Sequence, residues 1–593
     1  MRITNKIIQN NSLSNINLAK VAEDSKASQV SSGKKIVRPS DDPIVAIRSL
    51  RLRSSVVELT QYYSRNAKDA DAWLKTTDDA LQQVTDVITD MIKQYDKGAN
   101  EYLTSSDRNI ILEQLKALQG EVYATGDADY AGRYIFTGYR TESSLMFKED
   151  TDKLYQITEQ FMASDLKTNM FVNTSYPVQE VDANGELVFN PDGTPKYKQA
   201  VDDQGNPLFD KNGDPVYEYR DLVNLQEGTQ TDYATVQEKL MDKSEYHRLR
   251  LSYKDCEEGV IPSIEYMDKD GKTVRIDGNG KTEDGVAVAG AAGIKEMKST
   301  DVPSPYMNVG DDDVIYLSDT GELLLGNKVY EELSGLTDDP LTNDVNEGEI
   351  RVTYQKSDFK EGDLKPEHYF YCVTGGDDGK LGITPDNVTP ADGSQEAAEA
   401  ADNIIYNPNY LKNNVDRQVI EYDVGYNQRI QVNTIAEEAF NPSVTREVDD
   451  MIQALEKIQK IENVTATLKG MLDKESDPAK RKTIQDQLDA ANKAFTYEKE
   501  VVQKKFSSGL TVMQGFLDEV NLAVTGCGAR GSRLELVSNR LSSQKTTFET
   551  LKSENEDVDL SEAVVQLTSA ENTYEAALKA TGKIMQVNLM DFI

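Results

Sequence analysis

Histidine and cysteine are scarce in this 593-residue chain, with two of the first and three of the second. His247 and His368 stand in no HExxH or other ligand spacing, so a zinc-protease or His-based catalytic reading has no support, and both are read as surface or packing residues. Cys256, Cys372 and Cys527 are odd in number and far apart, so they frame neither a disulfide scaffold nor a CxxC metal pair and are expected to be isolated thiols. No run approaches the roughly 18 apolar residues that a membrane span requires. The start, MRITNKIIQNNSLSNINLAK, lacks the continuous apolar segment and small-residue cleavage site of a secretory leader, so none is expected.

Positive charge is also in short supply: 65 Lys and Arg face 102 Asp and Glu, a net charge of −37. Residues 1–150 hold 20 basic against 21 acidic side chains and residues 440–593 hold 19 against 24, so −31 of the total lies between them. Such a field repels phosphate backbones and anionic headgroups, which argues against nucleic-acid and membrane partners for the middle. The first 65 residues differ, with 11 basic and 5 acidic side chains.

What the chain does have is helical periodicity at its two ends. Ala70, Leu74, Thr77, Leu81, Val84, Ile88, Met91 and Tyr95 recur at alternating steps of four and three, the repeat that keeps one helix seam against a partner. Leu534, Val537, Leu541, Gln544, Phe548 and Leu551 repeat it near the other end. Neither stripe can be buried by its own helix, and the simplest partner for one terminus is the other. The helical seam is therefore assigned to Leu74, Leu81, Val84, Ile88, Val537, Leu541, Phe548 and Leu551.

Residues 1–30 form a weakly amphipathic segment that, alone, buries too little apolar area to offset its ordering entropy. In RPSDDP, Arg38 to Pro43, Asp42 can cap a helix that begins with Pro43, while Asp41 and Asp42 suit its positive end. The pattern predicts one helix from Pro43 to about Lys97, stopped at Gly98, with a four-residue stutter between Ala70 and Leu74. A second helix is expected from about Ser106 to Ala124, carrying Ile111, Leu115, Leu118 and Val122, and GRYIFTGYRT, Gly132 to Thr141, then reads as strand and turn.

The middle reads as β structure. VDANGELVFNPDGTPKY at 181–197 and VDDQGNPLFDKNGDPVY at 201–217 align at a 20-residue period, as two hairpins with Asn184-Gly185 or Asp192-Gly193 and Asn212-Gly213 as turns. Tyr266 to Thr282 has the same style, and 385–408 reads as a linker or loop. Helix resumes near Ser443 and restarts at Asp477-Pro478. Breaks are expected at GCGARGS, Gly526 to Ser532, and at ENEDVDLSE.

The fold class expected is α+β and multidomain: a long antiparallel helical bundle or coiled coil built from both termini, with an inserted β-rich domain. Its parts are an N-terminal assembly segment at 1–40, disordered in the monomer, and rod halves at 41–150 and 441–555. The acidic outer domain, of one or two subdomains, occupies 151–440, and a C-terminal assembly helix 556–593. The assembly interface is assigned to Ile3, Ile7, Leu13, Ile16, Val21, Ala563, Leu567, Tyr574, Leu578, Ile584, Val587, Leu589 and Phe592, apolar positions on segments that look unfinished without neighbours.

Catalysis, cofactor and metal sites find no constellation. GNGKT, Gly278 to Thr282, imitates the end of a phosphate-binding loop, but Arg275 occupies the first required glycine position. Turn carboxylates at 210–214, 268–271, 311–313 and 375–379 resemble oxygen ligands for a hard cation, yet none completes the 12-residue calcium loop. They keep open one alternative of another class, an extracellular calcium-binding or adhesive protein acting through the acidic middle.

SSGKKIVRPSDDPIVAIRSLRLRS at 31–54, GRYIFTGYRT at 132–141, and the stretch from GAR at 528–530 through DLSEAVVQLTSAENTYEAALKA to NLMDFI resemble the bacterial flagellin family. Within it they look like the hook-filament junction proteins, with filament flagellin as the rival. Gly531 and Ser532 depart from the family's pattern, and the middle is unusually large. The resemblance implies an inner layer of paired terminal helices, a helical rod, an outward β domain, and no enzymatic activity. It also implies passage from the cell through the flagellar export apparatus, and an extracellular place between a hook-side junction protein and flagellin. Further implied partners are neighbouring copies in a ring and a cytosolic export chaperone acting through the apolar face of the C-terminal helix.

Overall fold

The computed structural model describes residues 5–100, 103–182, 188–201, 205–208, 215–224, 236, 238–307, 309–337, 348–375, 404–408, 410 and 418–586. Eight α-helices lie among them: α1 Asn5–Ser32, α2 Pro43–Gln61, α3 Ala67–Gly98, α4 Ser105–Ala124, α5 Asn327–Ser334, α6 Ser443–Lys474, α7 Pro478–Glu556 and α8 Leu560–Gln586. The chain divides into two compact units. One gathers residues 1–74, 421–432 and 528–593; the other comprises 75–420 and 433–527.

In the first unit α1 lies along α8. Asp42 caps α2 as its sequence position implies, its carboxylate accepting from the backbone N–H of Ile44 at 2.9 Å and Val45 at 3.1 Å, with Pro43 in the first turn. Asp41 instead accepts from Val37 and Arg38, at 3.1 and 2.8 Å, and closes the preceding turn. The expected single helix from Pro43 is interrupted by a π-helical turn, Tyr62–Asn66. This inserted residue shifts the stripe just before the position where the repeat itself stutters. The hairpin Glu421–Gly425 with Gln428–Gln431 groups with these helices, although the sequence placed it in the β-rich middle. Asn66 on the π turn donates to the carbonyl of Asp423 at 2.7 Å, and Arg540 of α7 bonds the Gln428 side chain.

The second unit buries the predicted stripe: Thr77, Leu81, Val84, Ile88, Met91 and Tyr95 are all fully enclosed. Tyr95 meets Phe506 edge-on at 5.8 Å and donates to the Glu447 carbonyl at 3.2 Å. Gly98 ends α3, and an added Cβ there would run into Phe506, so glycine at this position is a packing requirement as well as a helix stop signal. Thr104 caps α4 in a reciprocal arrangement with Asp107, and α4 packs on α6 through Ile111, Leu115 and Val122.

The β region contains an antiparallel sheet of eight strands in the order Val286–Ala287, Gly280–Glu283, Thr273–Asp277, Ser263–Met267, Glu349–Lys356, Tyr155–Met162, Tyr371–Thr374 and Ile404–Tyr406. A second sheet runs Lys295–Met297, Val314–Leu317, Glu322–Leu325, Lys243–Arg250 and Lys167–Val172, its first pair parallel. The period-20 repeat is a ring of three registers: the N–H of Val178 bonds the carbonyl of Glu218, that of Glu218 the carbonyl of Lys198, and that of Lys198 the carbonyl of Val178, each at 2.8 Å. Asp192-Gly193 makes a turn, with Gly193 at φ +83°. The Asn184-Gly185 and Asn212-Gly213 turns, and 385–403 of the expected linker, lie outside the described residues.

Buried charge fixes the five-stranded sheet to α6. Arg248, 5% exposed, binds both Glu322 and Asp450, while Arg250 reaches Asp450 at 2.6 Å and Glu447 at 3.2 Å. Asp450 is held well below the ordinary carboxylate range; burial opposes its charge, but Arg248 and Arg250 outweigh that penalty. Tyr176, Leu222 and Met241 pack apolar surface against Ile461, Leu468, Leu488 and Ala491 of the α6–α7 pair.

One expectation fails outright. Helix α7 runs unbroken through Gly526 to Ser532. Each helical glycine costs about 1 kcal/mol relative to alanine, less than packing of the flanking apolar positions returns. The break at ENEDVDLSE does occur, between Glu556 and Leu560.

Candidate assembly site

The breaks between α1 and α2 and between α7 and α8 are tied together. Gly33, at φ +69°, turns the chain out of α1; Lys35 N–H then donates to the Glu556 carbonyl at 2.7 Å and Val558 N–H to the Gly33 carbonyl at 3.0 Å. Glu556 sits beneath this bridge with 3% of its side chain exposed. Its carboxylate accepts from Arg53 Nε at 2.6 Å, Arg53 Nη2 at 2.8 Å and the Ser49 hydroxyl, with Lys34 at 3.6 Å. The Arg53 hydrogen bonds, aided by Ser49 and the charges of Arg53 and Lys34, outweigh burial and pull the Glu556 pKa down to about 2. Lys34 also pairs with Asp557, and Asp559 caps α8 by accepting from Ser561 and Glu562. Asn555 adds a bond of 3.2 Å to the Val45 carbonyl.

Beyond this clasp the terminal helices cover little of one another's apolar surface. Ala563 is buried and Ile16, Leu567 and Tyr574 are half-buried, whereas Ile7, Leu13, Val21 and Leu578 are exposed. Ile3, Val587, Leu589 and Phe592, and the side chain of Ile584, lie outside the described residues. Of the seam positions, Leu74, Leu81, Val84, Ile88 and Leu541 are buried, and Val537, Phe548 and Leu551 are half-buried. Leu74 and Leu541 fall in the first unit, and Leu81, Val84 and Ile88 in the second.

The sequence reading missed a second outward face. Ile44, Ile47, Leu50 and Val57 of α2 are more than half exposed, beside Arg48 and Arg51, and Val564 and Val565 line an open groove on α8. Their helical spacing was legible, but it competes with the inward stripe Leu52, Val56 and Leu59 on the same helix, which continues at Tyr63 in the π turn. Tyr426, 88% exposed, was missed as well; it stands at the hairpin tip beside Asn427, at φ +58°.

The remaining candidates have structural roles. His247 stacks on Tyr330 at 3.8 Å and hydrogen-bonds Thr168, while His368 bonds the Ser144 carbonyl. Burial lowers the His368 pKa to about 4. Gly278 to Thr282 form a hairpin turn and its strand. Asp312 and Asp313 pair with Lys328 and Lys295. Among the described residues no group of three or more His, Cys, Asp or Glu is placed to hold a metal, and no helix is long and apolar enough to cross a membrane. The turn carboxylates at 210–214 and 376–379 lie outside the described residues.

The two helical end regions are clasped at their inner ends and carry exposed apolar residues on their outer faces. Residues 3–141 match the bacterial flagellin N-terminal helical region and residues 510–593 the bacterial flagellin C-terminal helical region. The chain is similar to flagellar hook-associated protein 3 of Escherichia coli strain K12, 30% identical over 122 residues, which is 20% of this chain and 38% of that protein. Flagellar hook-associated protein 3 of Salmonella typhimurium is 28% identical over 145 residues, 24% of this chain and 45% of the relative. A flagellin of Clostridium tyrobutyricum is 27% identical over 122 residues, 21% of this chain and 32% of the relative. The chain thus spans less than half the length of each of these relatives. The resemblance to hook-associated protein 3, read first from RPSDDP, GRYIFTGYRT and the C-terminal stretch, stands on these matches.

Proposed function

We propose that the chain is a structural component of the bacterial flagellum that joins hook to filament, assembling through α1 and α8 and having no catalytic role. The observation that carries this reading is the pairing of two flagellin-type end regions whose helices, clasped at Glu556, leave Ile7, Leu13, Val21 and Leu578 uncovered. Uncovered apolar residues at helical spacing on both ends need neighbours, and identical copies in a ring offer the same complementary surface. The hook-side junction protein and flagellin are the partners above and below, outside the cell. The apolar face of α8 would be masked by an export chaperone before secretion. Within the second unit, Arg248 and Arg250 fix one sheet of the acidic middle to α6.

Deleting the gene tests the reading: an adaptor's loss leaves hooks without filaments while flagellin appears in the medium. Normal filaments in the deletion strain would contradict it. The second reading, filament flagellin, rests on the Clostridium match and expects the deletion to remove the filament protein itself.

A further inference from the structure

We propose that the cleft between the strand Lys167–Val172, α6 and α7 binds a small dianionic oxyanion, a phosphate or sulfate group. The cavity is about 310 Å³ and lies wholly within the second unit. Four cations border it, Lys167, Arg248, Lys504 and Lys505, against two carboxylates, Glu447 and Asp450. Those carboxylates are already engaged: Arg248 and Arg250 hold Asp450, and Arg250 holds Glu447 at 3.2 Å, leaving Lys167 a distant 3.9 Å contact. Outside the lining Arg250, which holds these carboxylates, is balanced by Glu322, which holds Arg248, so the lining keeps its excess of positive charge on the lysines. Neither Lys504 nor Lys505 forms an ion pair among the described residues.

The net charge of −37 does not forbid such a site. Exposed charges are screened beyond about 8 Å at physiological salt, so the nearest lysines dominate inside the cleft. Burial and the neighbouring guanidiniums of Arg248 and Arg250 push the Lys167 pKa down, a penalty that a bound anion would relieve. The volume accommodates a free oxyanion or one carried on a small sugar.

Calorimetry at low ionic strength with inorganic phosphate, sulfate and glucose 6-phosphate, against chloride at matched ionic strength, tests the proposal. Saturable one-site binding is expected, weakened at least about tenfold in the K504Q/K505Q variant. The K480Q/K482Q variant, which removes the same charge elsewhere on α7, should bind like the parent, and all three proteins should melt alike. Equal affinity for phosphate and sulfate assigns a bare oxyanion; tighter glucose 6-phosphate assigns a phosphorylated sugar. No saturable binding of any probe, or equal weakening in both variants, overturns the site.

Discussion

Arg53 on α2 grips Glu556 at the end of α7 with two hydrogen bonds, of 2.6 and 2.8 Å, across 503 residues of sequence. The pair closes the two helix breaks onto one another. With the Glu556 pKa down at about 2, from an ordinary 4.5, its contribution is complete above pH 4.5 and is lost as the pH falls through about 2. Because Arg53 is half-exposed, solvent screening limits the gain to on the order of 2 kcal/mol. E556Q should therefore lower the melting temperature at pH 7, and its gap from the parent should shrink towards pH 2. A gap independent of pH would remove the carboxylate from the clasp.

The seam residues give a test in each unit. Leu81 is fully buried and Leu541 is 3% exposed, so Leu81→Asp or Leu541→Asp should each cost about 4 kcal/mol by placing a charge without a partner among apolar side chains. Urea denaturation of each variant provides the comparison. Parental midpoints would contradict the assignment of the stripe.

Arg248 is expected to matter more through what its loss exposes than through its own attraction. Arg248→Met leaves Glu322 and Asp450 short of a cation and should destabilise by about 3–5 kcal/mol, whereas R248M/E322L/D450L should recover most of that loss. Recovery measured by chemical denaturation distinguishes uncompensated charge from simple loss of packing.

These tests also mark how far the sequence could be read. The α3 stripe was legible because one surface buries one helical period, and Asp42-Pro43 because a cap acts on its immediate neighbours. The Arg248–Asp450 contact was not, since strand and helix meet across some two hundred residues with no local pattern. The exposed apolar positions of the terminal helices could be picked out by their spacing, but the clasp at Glu556 lay hidden in an acidic stretch that read only as a helix break. The glycines at 526–532 misled because propensity counts breakers one at a time, whereas Cys527 and Leu534 are each buried in their own surroundings.

Those glycines supply a further expectation. An added Cβ at Gly528 or Gly531 meets nothing within 4 Å. Each Gly→Ala change should stabilise α7 by about 0.5–1 kcal/mol, readable as a raised melting temperature. Destabilisation would mean that the glycines serve a conformation other than the continuous helix.

Since α8 is the helix that lies along α1, removing residues from Ser561 onward should melt α1 as well. Far-UV circular dichroism should lose more helix than the deleted segment contains. A loss confined to α8 would show that α1 is stable alone.

The central claim is most directly tested by immuno-electron microscopy of isolated flagella, with antibody raised against the acidic middle. The account expects a single narrow band of label where hook meets filament. Label distributed along the filament, or absent from the flagellum, would contradict it.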